Sequence, residues 1–111
     1  MKRLALLLSF CASSGGAADD WLPLSGAEIR SALTDRKLVY ATAWQEFKSS
    51  GRTLYNAGHD SWGYWRVEGD HYCSLWPPSD LWNCYTMTRS GDDLRFVDKT
   101  GHVTEAEYAD D

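Results

Sequence analysis

Three short turn signals, each set between residues that favour strands, leave this chain few folds to choose from. They are Gly69-Asp70, the run Pro77-Pro78-Ser79-Asp80, and Gly91-Asp92. A tight turn fixes the register of the strands it joins, so each of the three makes its own claim about which residues stand opposite each other. The first pairs Glu68 with His71 and Val67 with Tyr72. The second pairs Trp76 with Leu81, Ser74 with Asn83 and Cys73 with Cys84. The third pairs Met87 with Phe96 and Arg89 with Leu94.

Side chains alternate faces along a strand, and the three registers therefore define two surfaces. One carries Trp65, Val67, Tyr72, Trp76, Leu81, Tyr85, Met87, Leu94 and Phe96. The other carries Tyr64, Arg66, Cys73, Leu75, Trp82, Cys84, Thr86, Thr88 and Arg95. The turns were placed independently, yet they put the more apolar set on a single face. A slip of one residue would scramble that agreement.

The neighbouring segments extend the pattern. Lys37 to Phe47 reads as one long strand, Ser49-Ser50-Gly51 as a turn, and Arg52 to Asn56 as the returning strand. A loop at Ala57 to Ser61 leads into the hairpins just described. Leu94 to Asp98 is a further strand, Lys99-Thr100-Gly101 turns the chain, and Val103 to Tyr108 reads as a last edge strand.

Ahead of these lies one helix signal. Ser25 with Glu28 three residues on forms a capping box, Leu24 and Ile29 form the matching staple, and Ala27, Ile29, Ala32 and Leu33 share a stripe. Arg36 and Lys37 fall where cations favour a helix C-terminus. A helix of two to three turns is marginal alone and must dock on the sheet. The predicted class is α+β, mostly β: one short N-terminal helix on an antiparallel β-meander, drawn as a curled sheet or half-open barrel.

Residues 1–18 have the form of a cleaved export signal. Lys2 and Arg3 precede the apolar run Leu4 to Ala12, and Gly16 and Ala18 fit the small positions before a cut. A run of nine residues, eight of them apolar, is too short for a bilayer span. Cys11 raises lipidation, but the bulky Phe10 beside it argues against a lipoprotein cut. Removing 18 of the 111 residues leaves 93, with 9 basic and 16 acidic residues and a formal net charge of −7. That length suits one β-rich domain, 19–111. The acidic balance argues against nucleic acid or an anionic membrane as partner. In an exported protein, whether periplasmic or secreted, the facing pair Cys73 and Cys84 reads as a disulfide. Ten intervening residues suit neither a redox Cys-x-x-Cys motif nor the usual zinc spacing.

Catalytic signals are weak throughout. His59-Asp60-Ser61 are adjacent in a loop, whereas triads assemble from separate parts of a fold. His59, His71 and His102 lie in three different turns, which argues against a shared metal. Asp98-Lys99-Thr100-Gly101 resembles the start of a calcium loop without its later ligands. No cofactor is called for, and the expectation is a non-enzyme.

The aromatic content is the anomaly: six tryptophans, six tyrosines and three phenylalanines in 111 residues. Tyr64, Arg66, Leu75, Trp82 and Arg95, on the disulfide face, form a candidate patch for a protein, peptide or glycan. An inhibitor of a periplasmic enzyme is one concrete form of that expectation. The alternative is a carrier enclosing a small apolar ligand among Trp65, Trp76, Tyr85 and Phe96.

The runs L-S-G-A-E-I-R-S-A-L, G-R-T-L-Y, G-Y-W-R-V-E-G-D, Y-C-S-L-W-P-P and W-N-C-Y together resemble a family of small exported proteobacterial proteins of unknown function. The resemblance covers roughly Leu22 to Gly101 and is most specific around Cys73, Trp76, Pro77, Trp82, Cys84 and Tyr85. It implies export and a helix-plus-meander fold with a paired-cysteine hairpin, and it transfers no catalytic residue.

Overall fold

The helix and most of the strand pairings can be traced to local sequence signals. The computed structural model describes residues 20–110; the export signal and Cys11 lie outside the described residues. After a two-residue strand β1 (Leu22–Pro23), helix α1 (Gly26–Leu33) starts at Ser25. The Ser25 hydroxyl accepts from the Glu28 amide at 3.2 Å, and the Ser25 amide donates to the Glu28 carboxylate at 2.8 Å. Both arms of the capping box are therefore made. Two turns later the helix stops at Thr34, and Asp35 takes a left-handed φ of 59° to reverse the chain. Arg36 and Lys37 consequently begin a strand instead of closing the helix.

Eight strands follow: β2 (Arg36–Val39), β3 (Trp44–Phe47), β4 (Arg52–Asn56), β5 (Asp60–Glu68), β6 (His71–Leu75), β7 (Asn83–Ser90), β8 (Asp93–Val97) and β9 (Val103–Tyr108). Each pairs antiparallel with the next, and all three sequence-derived registers are present, including Val67↔Tyr72, Cys73↔Cys84 and Met87↔Phe96. β9 is not an edge strand. It pairs with β8 along its length and with β2 through Leu38↔Tyr108 and Val39↔Glu107, which closes the meander into a barrel. Closure removes the open edges that a free sheet must otherwise protect.

Two further expectations are corrected. The segment Lys37 to Phe47 is a hairpin, with the Tyr40 amide donating to the Ala43 carbonyl at 2.8 Å. Tyr-Ala-Thr-Ala at that bend contains no glycine, proline or asparagine, so nothing in its composition marks the turn. Leu81 lies outside the strands, in the β6–β7 loop, and is 69% exposed. That loop resumes pairing only at Ser74↔Asn83.

The helix stops one end of the barrel. Ile29, Ala32 and Leu33 are buried with Leu38, Phe47, Met87, Leu94 and Ala106. Gly26 sits against the β5–β6 turn, where a Cβ would collide with the Gly69 carbonyl, and its amide donates to Asp70 at 2.8 Å. The Tyr108 hydroxyl donates to the Ala32 carbonyl at 2.8 Å and ties the last strand to the helix. Cys73 and Cys84 are joined in a disulfide between β6 and β7. No helix among the described residues is long and apolar enough to cross a membrane. The outward positions carry charges such as Arg66, Glu68 and Arg95 beside exposed rings such as Trp62 and Tyr64.

Candidate functional site

The end of the barrel opposite the helix is open. Four connections rim it: the bends at Tyr40–Ala43 and Ala57–His59, the β6–β7 loop, and the turn at Asp98–His102. Below the rim is a cavity of about 950 Å³, within the range that ordinarily takes a small molecule. Tyr40, Tyr55, Tyr72, Trp76, Tyr85 and Phe96 are among its lining residues.

These rings form a connected wall. Trp76 meets Tyr55 edge-on at 6.0 Å between centroids, Tyr55 meets Tyr40 at 6.1 Å, and Tyr40 meets Phe96 at 6.1 Å. Phe96 then meets Tyr72 at 5.1 Å and Tyr85 at 6.3 Å. Edge-to-face and tilted pairs at such distances are mutually favourable, by about 0.5–1.5 kcal/mol each beyond burial.

Trp76 owes its place to a glycine. Gly63 is an inward position in the middle of β5, and a Cβ there would stand 2.6 Å from the Trp76 ring and from the Leu75 carbonyl. The indole takes the space that a side chain on β5 would fill, and its N–H donates to the Ser74 hydroxyl at 3.2 Å. A glycine in mid-strand is a recognised mark of such close approach.

A buried polar network makes the floor. The Tyr40 hydroxyl donates to Gln45 Oε1 at 2.6 Å, and Gln45 Nε2 donates to Thr53 Oγ1 at 2.9 Å and to the Tyr72 hydroxyl at 3.2 Å. The Thr53 hydroxyl in turn donates to the Glu46 carbonyl at 2.7 Å. Gln45 is thus fully satisfied, as a buried amide must be. Burial raises the Tyr40 and Tyr72 phenols above their ordinary range, and more weakly the half-buried Tyr85, where the Asp98 carboxylate adds to the effect. All three rings are therefore neutral at physiological pH.

Asp98 is held by its own turn. Its Oδ1 accepts from the Thr100 hydroxyl at 2.6 Å, the Thr100 amide at 2.8 Å and the His102 amide at 3.0 Å. Those bonds lower its pKa and keep it ionised. The resemblance to a calcium loop is accounted for by this hairpin turn. His71 begins β6 beside the helix, whereas His59 and His102 lie at the open end, so the three histidines do not converge. Among the described residues one grouping has metal-ligand chemistry within 4.8 Å, Glu68 with Cys73 and Cys84. Its two sulfurs are bonded to each other.

The candidate patch lies on the outer wall and divides in two. Tyr64 and Leu75 are cross-strand partners, and the Arg66 guanidinium lies 3.9 Å over the Trp82 ring while pairing with Glu68. Arg95 is elsewhere. It stands opposite Thr88, four residues along β7 from Cys84 and so about 13 Å further on. There it holds Glu105 at 2.8 Å and covers Trp21 at 3.9 Å.

Of the residues expected to line a carrier pocket, Trp76, Tyr85 and Phe96 do so. Trp65 lies deeper, edge-on to Phe47, with its N–H donating to the Lys48 carbonyl at 2.9 Å. Tyr40, Gln45 and Tyr55 were not anticipated. Gly63 in mid-strand was the available signal for Trp76, but no signal marked the bend that turns Tyr40 inward.

No family model, curated protein or solved structure matches this chain.

Proposed function

We propose that this protein is a small-molecule carrier or sensor that takes an organic ligand into the mouth of the barrel. The observation that carries the reading is the aromatic-walled cavity at the end the helix leaves open. The satisfied floor of Gln45, Thr53 and Tyr72 holds the wall in place before any ligand arrives, and such preorganisation favours affinity. The protein acts by binding, not catalysis. The Cys73–Cys84 disulfide and the N-terminal signal pattern support an oxidising location, periplasmic or secreted.

Nile red, a neutral dye that brightens in apolar surroundings, tests the reading. It is expected to bind the native protein with one-site stoichiometry and to quench tryptophan emission. Ala43→Trp, which fills the rim, is expected to abolish the signal while leaving the circular dichroism unchanged. Failure of the native protein to bind the dye, or equal binding by the filled variant, sinks the reading.

A second reading places a protein, peptide or glycan partner on the outer wall around Tyr64, Arg66, Leu75 and Trp82. The exposures of Trp62 and Tyr64, 45% and 43%, support it. The cations already stacked on these rings weigh against it, because a partner must displace them.

A further inference from the structure

Aromatic faces carry partial negative charge and attract cations. On the outer wall this attraction is met from within the chain. Lys37 lies over Trp44, Arg52 over Trp62, Arg66 over Trp82 and Arg95 over Trp21, at 3.9 to 4.7 Å from the ring centroids. The cavity wall differs. Seven aromatic side chains line it; Trp62 at the rim carries Arg52, the other six have no cation stacked on them among the described residues, and no lysine or arginine is itself a lining residue. Glu105, the lining acid, is engaged by Arg95. Asp98, held ionised by its turn, acts on Tyr85 through its charge.

An anionic ligand finds no lysine or arginine among the described lining residues and faces a chain of net charge −5. A neutral ligand gains apolar contact and what hydrogen bonds the polar lining residues, such as Ser61 and Thr42, offer it. A cation with a soft, weakly hydrated surface gains the ring faces as well, and it leaves its water at less cost than a primary ammonium does.

We infer that the ligand is an organic cation carrying a methylated or quaternary ammonium group, seated among the faces of Tyr40, Tyr55, Trp76, Tyr85 and Phe96. The inference rests on the pocket reading above, and it adds charge and chemical class to it. The cavity is several times larger than a trimethylammonium group, so the cationic head belongs to a larger body that extends toward the rim.

Displacement of Nile red separates the two claims. Choline and 3,3-dimethyl-1-butanol have nearly the same shape and differ in charge; 3,3-dimethylbutyrate adds the opposite charge. Choline is expected to displace the dye at a concentration at least about tenfold lower than the alcohol, and the carboxylate is expected to be weakest. Tyr85→Leu should cut choline's advantage by at least about threefold, whereas Tyr85→Phe, which keeps the ring face, should retain it. Equal or stronger displacement by the alcohol or the carboxylate overturns the inference while the pocket reading stands. Choline that fails to displace bound dye does the same. If Tyr85→Phe loses as much as Tyr85→Leu, the ring face is not the determinant and the inference fails. If no dye binds at all, the pocket reading itself has failed.

Discussion

Trp76 inside the barrel wall and Trp82 outside it belong to the same short loop region, but their surroundings differ. Trp82 lies beneath the Arg66 guanidinium, which in turn holds Glu68, in a string of charge and ring open to water. Trp76 lies against Tyr55, in the space that Gly63 leaves, with its N–H bound to Ser74. One ring is covered by the chain's own cation and the other faces a cavity. The difference teaches that a high aromatic content can serve two ends at once. Outside, rings and cations laminate neighbouring strands. Inside, rings pack on rings around the cavity.

The comparison predicts a large asymmetry in stability. Phe47 is fully buried, edge-on to Trp65 and Tyr72 at 5.7 Å, under the helix that stops the barrel. Phe47→Ala is expected to cost about 3–5 kcal/mol, because a cavity opens where three rings and the helix meet. Urea unfolding gives the number. A loss below about 1 kcal/mol would place the load-carrying core elsewhere and undo the distinction between inside and outside.

Much of this inside was legible beforehand. Tight turns containing Gly69 and Gly91, and the proline-rich loop after Trp76, fixed three registers, and alternation did the rest: Trp65, Tyr72, Met87, Leu94 and Phe96 are all buried. The capping box at Ser25 and the cysteine pairing followed from equally local chemistry. Closure did not. Whether Val103–Tyr108 ends as an edge or returns to β2 depends on the summed twist and stagger of all the strands, which no short window contains. The bend at Tyr40–Ala43 was hidden because ordinary residues make it. These two failures explain why the cavity was only an alternative in the sequence, while the patch around Trp82 looked the more credible surface. Exposed cations and exposed rings are visible in a sequence, but their stacking on one another is not.

A second asymmetry concerns alkali. Tyr40 and Tyr72 are held neutral because burial opposes the charged phenolate; hydrogen bonds to Gln45 and Ser74 offset this only in part for Tyr72. In the unfolded chain both phenols ionise near pH 10. Below that pH the protonated phenol is common to both states and stability is unaffected. Above it the unfolded chain releases protons that the folded chain retains, so stability falls as pH rises toward the folded-state values. The expected slope is about 1.4 kcal/mol per pH unit for each buried tyrosine. Tyr72→Phe should lower stability near neutrality by about 1 kcal/mol through the lost Gln45 contact and make the alkaline slope shallower by one proton. Chemical denaturation at several pH values between 9 and 11 measures it. An unchanged slope would mean that Tyr72 is open to water.

The smallest effect belongs to the outer wall, and it decides how the Trp82 surface is to be understood. Arg66 is about half exposed, and exposed cation–ring and ion-pair contacts are generally weak. Arg66→Ala and Trp82→Ala are each expected to cost less than about 1 kcal/mol and to leave Nile red binding at the mouth unaltered. Their coupling in a double-mutant cycle should be about 0.5 kcal/mol. A coupling of that size means the ring is already partnered, and a protein or sugar that used the Trp82 face would first have to part it from Arg66. A coupling near zero means the stack has no energetic content. Trp82 would then be free aromatic surface, and the outer wall would regain its claim as a place where a partner docks.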